Sequence, residues 1–199
     1  MKQNLKVNAI WLAILLAGFG LIQGLVAAGI LNIYYIQIVQ QIGIQIILAV
    51  GLNLIVGFSG QFSLGHAGFM AIGAYSVGII GKMMPSYGGF AVALIVGMLI
   101  SGAVALLVGI PTLRLKGDYL AIATLGVAEI IRILIINGGS LTNGAAGIMS
   151  IPLFTSWPLV YIFVIITTLV TVNFLRSPMG RATISVREDE IAAESVGVN

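Results

Sequence analysis

Charge is what this sequence has least of. Its 199 residues carry nine Lys or Arg and six Asp or Glu, 8% of the chain, where a soluble domain carries about 25%. No Asp, Glu, Lys or Arg lies between Lys6 and Lys82, between Lys82 and Arg114, or between Arg132 and Arg176. Each of these stretches exceeds the ~20 apolar residues that cross a bilayer, which excludes a soluble enzyme or a secreted scaffold. Cysteine is absent altogether, which removes disulfides, thiolate chemistry and Cys-based metal sites. Histidine occurs once, at His66, so a multi-histidine metal site is excluded too, and no metal is expected. The net charge of +3 is too small to suggest nucleic acid, and basic residues facing the cytoplasm account for it.

What the chain does have is hydrophobic length. Hydropathy breaks and turn residues predict an all-α, polytopic transmembrane bundle with six spans, at about 9–31, 35–56, 64–81, 90–110, 119–137 and 157–175. The first could pass for a signal peptide, but its apolar run exceeds the usual 7–15-residue core, so it reads as a retained anchor. Six crossings put both termini on one side. Lys2, Lys6, Arg114, Lys116, Arg176, Arg181 and Arg187 then share that side against Lys82 on the other, so the N and C termini are expected to be cytoplasmic. The domain division follows: a transmembrane domain over 1–175 and a cytoplasmic segment over 176–199.

Small and polar residues suggest how the spans associate. Ala93, Gly97, Ser101, Ala105 and Gly109 recur every four residues, a stripe along which another helix can approach closely. Gln37, Gln41 and Gln45 form an i, i+4 amide stripe that is costly to expose to lipid. It serves either interhelical hydrogen bonding or a translocation path. Glu129 and Arg132, the only charges well inside a span, can pair at i, i+3 as a self-neutralising couple or line a path.

The stretch from Gly57 to Gly68 holds four glycines with Ser59, Gln61, Ser63 and His66. Gly-Phe-Ser-Gly followed by a membrane histidine invites a serine-protease reading. However, Ser59 and His66 in one helix would stand ~10 Å apart, whereas a nucleophile and its base need ~3 Å. A helix interruption fits better, either as a structural restart or as the broken helix that commonly marks a transport site. The Gly-rich loop 137–147 reads as exposed on the external side, able to receive a partner or act as a lid. The tail from Arg176 to Asn199 holds seven charges, with a Pro-Gly break at Pro178 and Gly180 before an acidic, Ala-containing helical segment. That segment is either a solvated helix or one that fits a groove on a partner.

Four stretches carry a family pattern: Gly57 to Tyr75, Leu113 to Arg132, Leu141 to Pro152 and Ser177 to Asn199. In them the chain resembles the permease subunits of branched-chain amino-acid ABC importers. The resemblance implies a multi-pass protein of the bacterial cytoplasmic (inner) membrane, not itself an enzyme. Its implied partners are the lipid bilayer, a second permease subunit, two cytoplasmic ATPase subunits and an extracytoplasmic binding protein, with no nucleic acid. Such permeases carry a coupling motif, Glu-Ala-Ala, three residues, then Gly. Ala192, Ala193 and Gly197 match it here, while Ile191 stands at the Glu position with Glu190 just before it. No phosphate-binding Gly-x4-Gly-Lys-Ser/Thr loop is present, so ATP and Mg are expected on the partner ATPases. Family members continue into further helices, so the chain reads as an N-terminal portion. Permeases of urea and short-amide importers are closely similar and remain alternatives. From a different class, an ion-coupled secondary transporter would need Glu129 as its titratable site.

Overall fold

The computed structural model describes residues 2–112, 114, 115 and 117–198, with side chains from Trp11 onward except Leu12. Leu113, Lys116 and Asn199, and the side chains of Lys2 and Lys6, therefore lie outside the described residues. Every regular element described is helical: α1 (Lys2–Ala27), α2 (Ile33–Asn53), α3 (His66–Met83), α4 (Tyr87–Thr112), α5 (Asp118–Ile136), α6 (Trp157–Arg176), α7 (Pro178–Glu188) and α8 (Glu190–Ser195).

The helices form where the spans were expected. Among the described residues, four helices are long and apolar enough to cross a membrane: Ile33–Phe58, Tyr87–Thr112, Asp118–Ile136 and Trp157–Arg176. Of the other two, α1 contributes the apolar stretch Ala13–Ala27, and α3 has 18 residues with His66 and Lys82 near its ends. At 1.5 Å per residue α3 spans ~27 Å, close to a ~30 Å hydrocarbon core. α2 shows most clearly what fixes the helical state. Its Ile-Gln-Ile alternation at 36–38 and 44–46 would suit a strand in water. In lipid every backbone group must be paired within the segment, and the helix does that.

The chain divides into two compact units, Met1–Gly51 with Thr155–Phe174, and Leu52–Phe154 with Leu175–Asn199. In the first, α1, α2 and α6 meet through aromatic and small residues. Phe19 of α1 lies 4.9 Å from the Trp157 ring and 5.7 Å from the Tyr161 ring, both on α6. The Tyr161 hydroxyl donates to the Leu15 carbonyl at 2.9 Å. Gly43 lets α2 approach α6, because a Cβ there would fall 2.5 Å from Cγ1 of Val160.

In the second unit α3 packs against α4 and α5. Gly97 of α4 faces Ser76 and Gly73 of α3, at 3.3 and 3.5 Å from where its Cβ would be. Gly68 of α3 faces the Ala128 backbone and Ile131 of α5, both at 2.9 Å from its would-be Cβ. Loop 137–156 is organised by its own side chains. Asn143 takes a left-handed conformation (φ 60°) and its amide donates to the Gly147 carbonyl at 2.8 Å, while Thr142 is buried. Phe154 returns to meet Tyr87 edge-on and Phe90 at a tilt, both on α4.

Candidate translocation path and coupling segment

The predicted interruption is a definite structure. α2 runs into a π-helical turn, Leu54–Phe58, and the chain then leaves the helix until His66. Both the backbone N–H and the hydroxyl of Ser59 donate to the Leu54 carbonyl, at 3.1 and 3.2 Å. Gln61 N–H donates to the Ile55 carbonyl at 3.2 Å. Gly60 has φ +68°, a conformation that suits glycine. Farther on, Leu64 N–H donates to the Thr124 hydroxyl of α5 at 3.0 Å, and Gly65 lies where a Cβ would meet the Thr124 carbonyl at 3.0 Å. Thr124 thus clamps the interrupted segment to α5, a role the sequence reading missed. Its signal was a lone hydroxyl at mid-helix, where Ser and Thr must find a carbonyl or a neighbouring chain.

Around the interruption lies a cavity of about 170 Å³. It is lined by Ile55, Gln61, Ser63, Gly65 and Phe69, by Ala105, Val108, Gly109 and Thr112 of α4, and by Leu120, Thr124 and Val127 of α5. Two expected features therefore meet in one place: the polar residues of the break and the lower half of the α4 small-residue stripe. The upper half, Ala93 and Gly97, is buried, with Gly97 against α3; Ser101 is half-buried between the two halves. Ser59 and His66 flank the cavity segment without lining it. Among the described residues the His66 Nε2 is buried and has no hydrogen-bond partner.

The other path candidates lie elsewhere. Gln37, Gln41 and Gln45 are exposed on α2, in the first unit. The amide that does bridge elements there is Gln40, whose Nε2 donates to the Thr155 carbonyl at 3.3 Å. Glu129 and Arg132 form the expected pair at 2.7 Å, with more than half of each side chain exposed, and neither lines the cavity. A second, more open cleft of about 460 Å³ lies between the end of α3 and the 140–149 loop, with Lys82, Ser140 and Asn143 among apolar walls.

The charged tail folds as two short, capped helices. The Ser177 hydroxyl accepts from Gly180 N–H at 3.1 Å, with Pro178 in the first turn of α7. The Asp189 carboxylate accepts from Ala192 N–H at 3.0 Å and caps α8. Gly197, at φ +86°, closes α8 by donating to the Glu194 carbonyl, and Val198 N–H reaches the Ala193 carbonyl at 3.1 Å. The glycine that matches the motif thus stands just beyond the C-cap, Val196, in the left-handed conformation that ends a helix. Ala193 is buried (4% exposed) in a helix packed against α7, whereas Ile191 and Val196 are about four-fifths exposed. Ala192 and Glu190 are exposed as well.

Residues 34–199 match the family described as branched-chain amino acid transport system / permease component. The chain belongs to this family. Over 163 residues it is 38% identical to the high-affinity branched-chain amino acid transport system permease protein LivM of Salmonella typhimurium, and 36% identical to LivM of Escherichia coli K12. Each alignment covers 64% of this chain and 38% of the relative's own length. No solved structure matches the chain. Family membership and the long apolar helices make this permease-family chain a multi-pass membrane protein.

Proposed function

We propose that this chain is membrane-spanning permease sequence of an ATP-driven importer of branched-chain amino acids. The observation that carries the reading is the family match from residue 34 to 199, which takes in both the helix interruption and the coupling tail. The proposed topology has six crossings with both termini cytoplasmic, in a bacterial inner membrane, as the distribution of basic residues supports. An external binding protein would present the substrate, a second permease subunit would complete the path, and two ATPases would supply the drive. ATP and Mg would be held by those ATPases.

Within the chain, the cavity beside 54–65 is the proposed stretch of path. Its apolar walls suit an aliphatic side chain, and Gln61, Ser63, Thr112 and Thr124 place polar groups in the same wall. The α7–α8 tail is the proposed ATPase contact. Ile191 and Val196 are exposed apolar groups on a charged cytoplasmic segment, the pattern of a short helix that seats in a partner's groove. Ala193 and Gly197 act one step back, by holding α8 in shape.

Reconstituted in liposomes with its ATPases and binding protein, the full-length protein should take up leucine, isoleucine and valine only when ATP is supplied. Uptake of urea or short amides instead would move it to the sister group of importers. Uptake that persists without ATP but collapses with an ion gradient would overturn the ABC reading in favour of a secondary transporter.

A further inference from the structure

The tail and the interrupted helix are joined by one long-range contact. Arg187, in the last turn of α7, donates from Nη1 to the Gly57 carbonyl at 2.8 Å, across 130 residues of sequence. Gly57 sits in the π-helical turn, immediately before the chain leaves the helix. A carbonyl at such a place loses its intrahelical donor and needs another. Gly60 makes room for the donor's stem, since a Cβ there would lie 2.5 Å from Cγ of Arg187. The rest of the guanidinium is taken by Glu188, whose carboxylate accepts from both Nε and Nη2 of Arg187. One planar fork therefore holds an acidic side chain of the tail and a backbone carbonyl of the break together, a geometry that Lys cannot reproduce.

We propose that Arg187 is a positioning residue that latches the cavity-lining segment to the cytoplasmic helices, so that movement of α7 and α8 sets the conformation of the break. The inference deepens the importer reading and rests on it for the direction of drive. Its geometry needs only this chain. Ile55, Gln61 and Ser63, which line the cavity, lie within six residues of Gly57 on either side. When the tail is displaced by a partner, the Gly57 carbonyl loses its donor, and the turn repacks or moves with the tail. Small shifts at a cytoplasmic contact then become a change in the wall of the cavity.

The test uses an environment-sensitive thiol fluorophore on Phe62→Cys, an exposed position beside the cavity residues, in full-length protein with any cysteine outside these 199 residues replaced by Ser. Arg187→Met, which keeps the stem, should shift the label's emission and speed reaction of the free thiol at position 62. Arg187→Lys should recover part of both. Arg187→Gln, which keeps a polar, helix-compatible side chain without the charged fork, should reproduce the Met effect even if Arg187→Met folds poorly. In proteoliposomes Arg187→Met should lower maximal uptake about tenfold, the scale of one charge-assisted hydrogen bond in a two-state balance, with ATPase capture and substrate KM unchanged. An unchanged label in both Arg187→Met and Arg187→Gln would overturn the latch. Loss of ATPase capture in Arg187→Met would overturn it too, by making Arg187 a docking residue. Wild-type protein without ATP-driven uptake would instead sink the importer reading, and the label would still decide whether Arg187 holds the break.

Discussion

Replacing Gly68 by Ala probes the α3–α5 crossing that holds the helix interruption in place. The added methyl would sit 2.9 Å from the Ala128 Cα and 2.9 Å from Ile131 Cδ1. Ile131 can rotate aside, but Ala128 is backbone and moves only if α5 does. Overpacking of this kind costs about 1–3 kcal/mol. Against it stands the intrinsic gain of Ala over Gly in a helix, about 0.8–1.0 kcal/mol. The propensity gain cancels if Gly68→Ala is compared with Gly102→Ala, because Gly102 is also helical and would meet nothing within 4 Å. The difference between the two variants should therefore approach the full overpacking cost, about 1–3 kcal/mol. Reversible unfolding in mixed micelles, followed by circular dichroism, measures it. Gly68→Ala as stable as Gly102→Ala would show that the helices do not meet as closely as described, and the clamp at Thr124 would lose its support.

Three further outcomes follow from other contacts. Ile191→Glu should abolish capture of the ATPase while leaving helix content unchanged, whereas Ala193→Leu should lower tail helicity by circular dichroism, because Ala193 is buried and Ile191 is not. Equal losses of helicity would remove the distinction between contact and support. Tyr161→Phe strips the donor from the Leu15 carbonyl and should destabilise the protein by about 0.6 kcal/mol, the mean for such bonds between membrane helices. Micellar unfolding would read it, and a gain in stability would show the bond to be absent. Glu129→Gln and Arg132→Gln should each impair membrane insertion more than the double replacement, since each single change leaves one unpaired charge worth up to about 3 kcal/mol within a span. Additive effects in an insertion assay would mean that the two residues have separate partners.

The helices were legible because lipid leaves the backbone little choice. Long uncharged runs had to be helices, and their centres fell where hydropathy placed them, even in the Ile-Gln alternation of α2. The break at 57–65 was legible from glycine density, but its form was not. A π-helical turn depends on which N–H each carbonyl takes, here Ser59 N–H on the Leu54 carbonyl, and the Gly57 carbonyl in that turn is met by Arg187, 130 residues away. The α4 stripe was visible as a period of four. Its division into a packed upper half and a cavity-lining lower half depends on how far α3 extends beside it, which spacing alone does not encode. The amide stripe marked the right helix of its unit, but Gln40, one residue from Gln41, makes the bond that joins elements. The coupling motif was readable as a pattern. Only the fold separates these positions into an exposed side chain at Ile191, a buried one at Ala193 and a left-handed glycine at Gly197.

The capped tail also has mechanical leverage. A single residue, Ser177, joins α6 to α7, and Pro178 locks one of the neighbouring torsions. Arg187 lies ten residues along α7 from that pivot, an arm of ~15 Å at 1.5 Å per residue. Turning α7 about Ser177 by ~5° would carry the guanidinium ~1.3 Å, enough to take a 2.8 Å hydrogen bond beyond hydrogen-bonding range. The arm's length sets the gain. Removing one helical turn from α7 would shorten the arm by ~5.4 Å and cut the throw at the Gly57 carbonyl by about a third for the same input.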